Sequence, residues 1–328
     1  MKSRRIGIDN YGLLSLRLTP RDTVRWAAEH GAEGVAFSGL PAAQRDALDR
    51  AALVELAELA RDLRLYLEWG GASHIPRDMT SWGRQDTFDL NRRAASEAAT
   101  LGVRVVRSCS GGLMRWTAEA PPTETLLADT AAALRAQRSM LRDHDVILAI
   151  ETHFEFTSCE LLRLFERAEA EPGDYLGVCL DTMNLLTMLE DPLSATMRLL
   201  PWVVSTHIKD GGVLLGPTGL TTFTAAIGEG AIDLGGILAA LDGLADAVHL
   251  SIEDHGGSFA VPIFDPPFLR RFPDLTADEL ARLIQIAVRT AALPRCRPLE
   301  RERWPEVCKE RLAGDVAALR ALARRAQS

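Results

Sequence analysis

The stretch VILAIETH, residues 146–153, carries the pattern that decides the fold of this chain. It opens with five apolar residues rich in β-branched side chains, which is typical of a buried strand. Segments 123–144 and 158–171 flank it, and both space their apolar residues three and four apart, as an amphipathic helix does. Because parallel strands need a crossover that is usually a helix, this arrangement predicts one repeat of a parallel α/β fold.

The same alternation continues in both directions along the chain and gives eight predicted strands. They are RIGID (5–9), GVAFS (34–38), LYLEW (65–69), VRVVR (103–107), VILAIE (146–151), LGVCLD (176–181), VVSTHI (203–208) and VHLSIE (248–253). Eight repeats favour closure into a (β/α)8 TIM barrel. An open doubly wound sheet is the alternative, but no GxGxxG turn follows the first strand.

The segments between strands carry helix signals. In TPRDTVRWAAEHG (19–31), Thr19 is the predicted N-cap, Pro20 lies in the first turn and Gly31 ends the helix. Residues 40–63 show the same apolar spacing. The sequence GEG at 228–230 is interpreted as a turn before a helix that begins near Asp233.

The pattern changes after the eighth strand. A proline-rich loop from Ser258 is followed by two predicted helices, at 276–293 and 304–326. We expect the last helix to close the barrel and the insert before it to form a lid or an oligomer contact. The prediction is therefore a single TIM-barrel domain over 1–328, with its core at 5–256 and a C-terminal extension at 257–328, since α/β barrels of this length are often single units.

Composition excludes several classes of protein. The chain has 328 residues, of which 47% are hydrophobic and 25% are charged, and its net charge is −8. No basic face interleaved with aromatic residues is present, which argues against a nucleic-acid partner. No apolar run is long enough for a membrane span and no signal peptide is evident, so a cytoplasmic protein without a membrane partner is predicted. The cysteines are scattered and form no CxxC pair, which favours a packing role over disulfides or a cysteine zinc site; they are Cys109, Cys159, Cys179, Cys296 and Cys308.

Polar residues end the last four predicted strands. Catalytic groups of TIM barrels lie at the carboxyl ends of strands, and small residues stand two positions before each of these ends, as a barrel interior requires. Four such side chains in one mouth would repel as bare charges, and a divalent cation resolves the repulsion. Mn²⁺, Mg²⁺ or Co²⁺ fit this donor set better than a structural zinc, although Zn²⁺ remains an alternative, and so do separate salt-bridged strand ends. The four residues are Glu151, Asp181, His207 and Glu253.

Four motifs on these strands resemble the xylose isomerase-like TIM barrel superfamily, and within it the sugar phosphate isomerase/epimerase family. They are AIETH (149–153), LDTMN (180–184), THIKD (206–210) and SIEDHGG (251–257). The resemblance covers 5–256 and is strongest from residue 146. It implies that Glu151, Asp181, His207 and Glu253 bind one metal, Mn²⁺ first among the candidates, and that the two glutamates also act as acid and base.

The implied activity is that of a metal-dependent isomerase or epimerase acting on a sugar or cyclitol. It removes a proton next to a carbonyl and passes through a metal-stabilised enediolate. Relatives in this family are often homodimers or homotetramers.

Departures from the 3-epimerase pattern leave a lyase as the alternative. Asn184 stands where those enzymes usually carry a histidine, and the run HIKDGGVLLG lacks their arginine after His207. The HIKD form resembles the inositol-catabolism and keto-glycoside branches, in which proton removal expels a leaving group. An apurinic-site endonuclease would need a trinuclear zinc cluster with histidines that are missing here, and a non-catalytic barrel would be favoured by the loss of a metal ligand.

Further candidates lie near the same strand ends. Lys209 and His153 are predicted to act on the substrate, against the alternatives of an exposed lysine and a loop-capping histidine. Glu68, Arg107 and His255 are explained equally well by salt bridges. Aromatic residues that could wall a sugar site, or simply pack in the core, are Trp69, Trp82, Trp116 and Phe259.

The last two metal candidates, His207 and Glu253, lie 46 residues apart. This spacing predicts a long loop after the seventh strand that helps to close the site, so that deletion of 213–222 should impair turnover.

Overall fold

The computed structural model describes residues 4–244 and 248–326, and eight parallel strands form a closed barrel. Each strand pairs with its neighbour in chain order, and the first pairs with the last, with Ile6 opposite Leu250. The predicted TIM barrel is confirmed, and residues 1–3, 245–247 and 327–328 of the predicted domain lie outside the described residues. The barrel strands are β1 (Ile6–Asp9), β2 (Gly34–Phe37), β3 (Tyr66–Ala72), β4 (Val105–Ser108), β5 (Ile147–Glu151), β6 (Leu176–Asp181), β7 (Val203–Ile208) and β10 (Leu250–Ile252).

Helices surround the barrel, and their ends follow the predicted caps. The Thr19 side chain accepts from the Asp22 backbone N–H, and Gly31 follows the helix with a φ of +76°. The helices among the described residues are α1 (Pro20–Glu29), α2 (Ala42–Asp46), α3 (Arg50–Asp62), α4 (Phe88–Leu101), α5 (Thr123–Asp143), α6 (Ser158–Arg167), α7 (Asn184–Thr187), α8 (Pro192–Leu199), α9 (Leu234–Asp242), α10 (Pro266–Leu269), α11 (Ala277–Ala292) and α12 (Trp304–Ala326), with short 3₁₀ segments at Asn10–Leu16, Leu200–Trp202 and Arg301–Arg303.

The segment 40–63 forms two helices, α2 and α3, where the apolar spacing predicts one. The Asp49 side chain accepts from the Ala52 backbone N–H and starts a new helix. An aspartate is a strong N-cap, and its local hydrogen bond outweighs continuation of the first helix.

The segment after β7 is a β-hairpin and not the predicted loop. Strands β8 (Asp210–Gly216) and β9 (Gly219–Ala225) pair antiparallel, and β11 (Ser258–Val261), which follows β10, adds a third strand on β9. Gly219 has a φ of +147°, and a Cβ at this position would lie 2.3 Å from the Val261 carbonyl oxygen. A glycine is therefore required where the hairpin turn meets the third strand.

The carboxylate of Asp210 ties the hairpin to the turn at 228–230. It accepts from the backbone N–H groups of Gly211, Gly228 and Gly230 at 2.8, 2.9 and 3.1 Å. Asp233 then caps α9 by accepting from the Gly236 N–H, so the predicted turn and helix start are both confirmed.

Helix α12 packs against α9 and β1 at the seam of the barrel, as predicted for the closing helix. Its Leu312 and Leu319 are fully buried, and the Trp304 indole N–H donates to the Gly12 carbonyl at 2.8 Å. Helix α11 packs on β8 and so covers the small sheet. Within 4–244 and 248–326, no helix combines the length and the apolar character that crossing a bilayer would require.

Candidate active site

The four polar strand ends meet in one cluster at the mouth of the barrel. Glu151 and Asp181 are the last residues of β5 and β6, His207 lies in β7, and Glu253 follows β10. One donor atom of each residue lies within 4.8 Å of the other three, and all four side chains are buried. The structure thus brings together the four residues that the strand-end pattern singled out.

One ligand-type atom in this cluster has no partner, and two others contact only basic side chains. His207 Nδ1 is buried without a hydrogen-bond partner in the described part of the chain, and Glu151 Oε2 and Asp181 Oδ2 face Arg107 and Lys209. Nearly all buried polar atoms have a hydrogen-bond partner, so an unpartnered imidazole nitrogen beside three buried carboxylates is consistent with a place for a metal ion. Three carboxylates and an imidazole could hold a divalent metal ion, and the residues fit such an ion.

Two basic side chains also neutralise the cluster. Lys209 Nζ lies 2.8 Å from Asp181 Oδ2 and contacts Glu253, and Arg107 forms an ion pair with Glu151. Burial acts to raise the pKa of Glu253, but the charges of Lys209 and His207 outweigh it and lower that pKa to about 2. Burial opposes ionisation of Glu151 as well, and Arg107 and His207 still hold its pKa well below the usual range. Both glutamates are therefore ionised at neutral pH.

Asp9 is a member of the site that the sequence analysis missed. Its Oδ2 lies 3.5 Å from His207 Nε2, while His207 Nδ1 lies 3.5 Å from Glu151 Oε1 and 3.6 Å from Glu253 Oε2. Asp9 is itself held by the Ser38 hydroxyl at 2.7 Å and the Tyr11 backbone N–H at 2.8 Å. A carboxylate behind a ligating histidine fixes the ring orientation and its tautomer. The strand-end pattern could have identified Asp9, because this residue also ends a strand.

Glu68 and His255, two candidates that salt bridges could equally explain, occupy the edge of the cluster. Glu68 is buried near Asp9, and burial followed by the Asp9 charge raises its pKa to about 8, so it is protonated at neutral pH. The pKa of His255 falls to about 4 because of burial and the nearby Lys209, and its Nδ1 lies 2.8 Å from Arg301 Nη2.

His153 lies beyond the end of β5. The strand ends at Glu151, and the backbone turns so that the His153 N–H donates to the Glu151 carbonyl at 2.9 Å. The imidazole instead pairs with Glu155, with 2.8 Å between Nδ1 and Oε2. Cys109, predicted to be packing, donates to the same carboxylate at 3.8 Å. Strand alternation does not determine where the His153 side chain points, because it applies only within the strand.

A cavity of about 940 Å³ opens above the cluster. Its polar floor includes Glu151, Lys209 and Glu253, and its apolar wall includes Phe154 and Phe259. Aromatic residues build this wall, since the rings of Phe154 and Phe259 lie 4.8 Å apart.

The predicted wall residues separate into two groups. Trp116 packs edge-on behind Phe259 at 5.0 Å, whereas Trp69 and Trp82 are buried in the hydrophobic core. The hairpin contributes Thr222 and Thr224 to the cavity, and the C-terminal extension contributes residues 300–302. The extension is therefore part of the cavity wall, which no motif had indicated.

The chain matches the family described as xylose isomerase-like TIM barrel over residues 24–286, and it belongs to that family. It is 24% identical over 260 residues to the uncharacterized protein YihM of Escherichia coli K12, a match that spans 79% of this chain and 72% of that protein.

Solved structures share the fold. The structure of an L-ribulose 3-epimerase has a TM-score of 0.58 and 20% identity, covering 94% of this chain and 97% of that one. A D-psicose 3-epimerase with D-tagatose from Clostridium cellulolyticum H10 has a TM-score of 0.60 and 14% identity, covering 89% and 100%. The probable 3-DHS dehydratase AsbF of Bacillus anthracis has a TM-score of 0.57 and 15% identity, covering 75% and 92%.

Proposed function

We propose that this protein is a metal-dependent sugar isomerase or epimerase that removes a proton from the carbon next to a carbonyl. The observation that carries the proposal is the buried cluster in which two ionised glutamates, Glu151 and Glu253, lie with Asp181 and His207 so that one ligand atom of each falls within 4.8 Å of the others. We propose these four residues as ligands of one divalent ion. Mn²⁺ is the first candidate, because the donors are mainly carboxylate oxygens.

A bound divalent metal supplies Lewis-acid polarisation of the substrate carbonyl. The two glutamates come from β5 and β10, which are separated in the barrel by β6 and β7. One glutamate takes the proton and the other returns one from another direction. Return to the opposite face of the same carbon gives an epimer, and return to the neighbouring carbon gives an isomer.

Lys209 and His153 are proposed to act on substrate oxygens. The carboxylates around Lys209 outweigh its burial and raise its pKa, so its side chain is an ammonium ion at the cavity floor. It donates a hydrogen bond to the oxygen on which negative charge develops. His153 lines the same cavity, where its imidazole can hydrogen-bond a substrate hydroxyl.

A lyase that eliminates water or an aglycone is the second candidate, and one observation favours it. The cavity volume lies near the upper end of the roughly 300–1,000 Å³ found for small-molecule sites, and one wall is aromatic. A free sugar has little apolar surface to bury there, whereas the leaving group of a glycoside can be apolar. The similarity in fold to both epimerases and a dehydratase supports a common first step of proton removal.

The test is proton NMR in D₂O of the metal-loaded protein with ketoses, inososes and 3-oxo-glycosides. We expect deuterium to enter the carbon next to the carbonyl, and we expect metal removal or Glu151→Gln to abolish the exchange. Glu119→Gln, an exposed glutamate, is the matched control. The product separates epimer, isomer and eliminated compound. Absence of exchange with every substrate, with metal bound, would refute proton transfer as the chemistry of this site.

We further propose that the barrel and its C-terminal helices form one domain, because α12 packs on β1 and the extension lines the cavity.

A further inference from the structure

A second cluster of ligand-type side chains lies beside the cavity. It consists of Cys109 just after β4 and of His153 and Glu155 in the loop after β5, and one donor atom of each lies within 4.8 Å of the other two. None of the three belongs to the four-residue cluster. Cys109 and His153 line the cavity, and Glu155 is buried behind them.

The backbone holds the Glu155 carboxylate in place. Glu155 Oε1 accepts from the backbone N–H groups of Gly111 and Gly112, while Oε2 faces His153. Gly111 has a φ of +77°, a conformation that favours glycine and allows consecutive N–H groups to face one carboxylate. A carboxylate oriented by hydrogen bonds is how metal ligands are commonly held.

A further imidazole lies close to this cluster. His74 is 1% exposed, its Nδ1 lies 3.1 Å from the Ser108 hydroxyl, and its Nε2 has no hydrogen-bond partner in the regions described. Its ring lies near enough to Glu155 and His153 for their charges to act on it.

We propose that Cys109, His153 and Glu155 form a second metal site that binds zinc. Thiolate, imidazole and carboxylate are all zinc ligands, and three protein ligands leave the fourth position open, as in catalytic zinc sites. The sulfur favours zinc over Mn²⁺ or Mg²⁺, which the oxygen-rich cluster suits better. Binding takes place at Nδ1 of His153, the nitrogen that faces Glu155, which leaves Nε2 for the substrate. It releases the thiol proton of Cys109 and the Nδ1 proton of His153 to solvent. Because Cys109 and His153 line the cavity, a zinc ion held by them would lie at its edge.

The experiment uses Co²⁺ as a spectroscopic probe in place of zinc. The metal-free protein is titrated with Co²⁺ while bound metal is counted by equilibrium dialysis and the near-ultraviolet thiolate-to-cobalt absorption is recorded. The wild type should bind two equivalents and show the thiolate band. Cys109→Ser should bind one equivalent and lose the band. Glu151→Gln should keep the band, because the proposed site does not depend on the four-residue cluster or on its activity.

Cys179 provides the matched control, because it is buried beside His207 in the four-residue cluster. Cys179→Ala should retain the band. A single equivalent without a band in the wild type would overturn the proposal. A band that survives Cys109→Ser and disappears in Cys179→Ala would do so too, since the thiolate would then belong to the other cluster.

Glu155→Gln gives a second test that does not remove the cysteine. It should weaken Co²⁺ binding at the thiolate-containing site by about tenfold or more, as measured by titration of the band. An unchanged affinity would count against the assignment.

Discussion

At the scale of single residues, Asp9 shows how a side chain can act on the site through another residue. Its carboxylate faces Nε2 of His207, whose Nδ1 faces the glutamates. We expect Asp9→Asn to weaken Mn²⁺ binding by about 10–100-fold, because the ring loses the carboxylate that orients it. Isothermal titration would measure the change, with the exposed Asp62→Asn as control. Equal affinity in both variants would show that Asp9 does not position His207.

Lys209 is the internal counter-ion of the metal-free cluster. Lys209→Met leaves Asp181 and Glu253 without their nearest cation, and breaking a buried pair typically costs about 3–5 kcal/mol. We expect this loss in the unfolding free energy of the metal-free protein, measured by urea denaturation. Mn²⁺ should stabilise the variant more than the wild type. Lys309→Met, at an exposed lysine of α12, should change neither value.

The site residues that could be predicted from the sequence are those that lie within strands, where side-chain alternation and strand direction apply directly. Glu151 and Asp181 end strands, so alternation and strand direction were enough to bring them together. Glu155 lies four residues beyond the end of β5, in a loop whose path no periodicity defines. Its contacts with Gly111 and Cys109 depend on two loops folding against each other, which a single sequence does not reveal.

At the scale of secondary-structure elements, β11 provides the apolar wall of the cavity through Phe259. We expect Phe259→Ala to raise KM about tenfold with little change in kcat, because burying an aromatic ring contributes on the order of 1.5–3 kcal/mol to binding and the ring carries no group that can transfer a proton. Steady-state kinetics on the substrate found by NMR would test this. The matched control is Phe264→Ala, a phenylalanine of the same segment that is 56% exposed. Similar KM values for both variants would exclude a substrate contact by β11.

Glu190 and Arg198 together link three helices, and the buried Glu190 should make stability depend on pH. It accepts from the Ser158 backbone N–H of α6 at 2.9 Å and from Arg198 of α8 at 3.1 Å, and Arg198 also contacts Glu279 of α11 at 2.6 Å. Burial, its largest influence, raises the pKa of Glu190 from 4.5 to about 7. The folded state therefore binds this proton more tightly than the unfolded chain does.

The sign of the pH effect follows from that difference. The stabilisation that the Glu190 proton contributes to the folded state is fully present below pH 4.5 and is lost as the pH rises to about 7. Each unit of difference between the folded and unfolded pKa corresponds to ~1.4 kcal/mol of unfolding free energy. Glu190→Gln should reduce the slope of the unfolding free energy against pH between pH 4.5 and 7. The exposed Glu166→Gln should keep the wild-type slope. Parallel curves for wild type and Glu190→Gln would contradict the raised pKa.

The hairpin after β7 marks the limit of prediction at this scale. The barrel strands are continuous apolar runs, which periodicity detects well. The hairpin strands contain four glycines and several threonines, and their turn is only the pair 217–218. Their stability comes from packing against α11 and β11, which follow later in the chain. The local sequence therefore indicates only the length of the insertion.

At the scale of the whole molecule, α12 holds the seam of the barrel closed. We expect Leu312→Ala to lower the unfolding free energy by about 2–5 kcal/mol, because the residue is fully buried and its truncation leaves a cavity. Urea denaturation would measure this. Leu322→Ala, at a half-buried position on the same helix, should cost distinctly less. Equal losses would indicate that the seam is not more tightly packed than the end of the helix.

The pairing of β1 with β10 has a consequence for synthesis on the ribosome. The first strand remains without its second neighbour until the residues around Leu250 have been translated, and Glu253 emerges only after them. The nascent chain therefore carries Glu151, Asp181 and His207 for some time before Glu253 completes the four-residue cluster. Under the proposed function, capture of the ion would be a late event in the synthesis of the polypeptide, coupled to completion of the barrel, and a ribosome stalled before residue 250 would hold a chain with no assembled site.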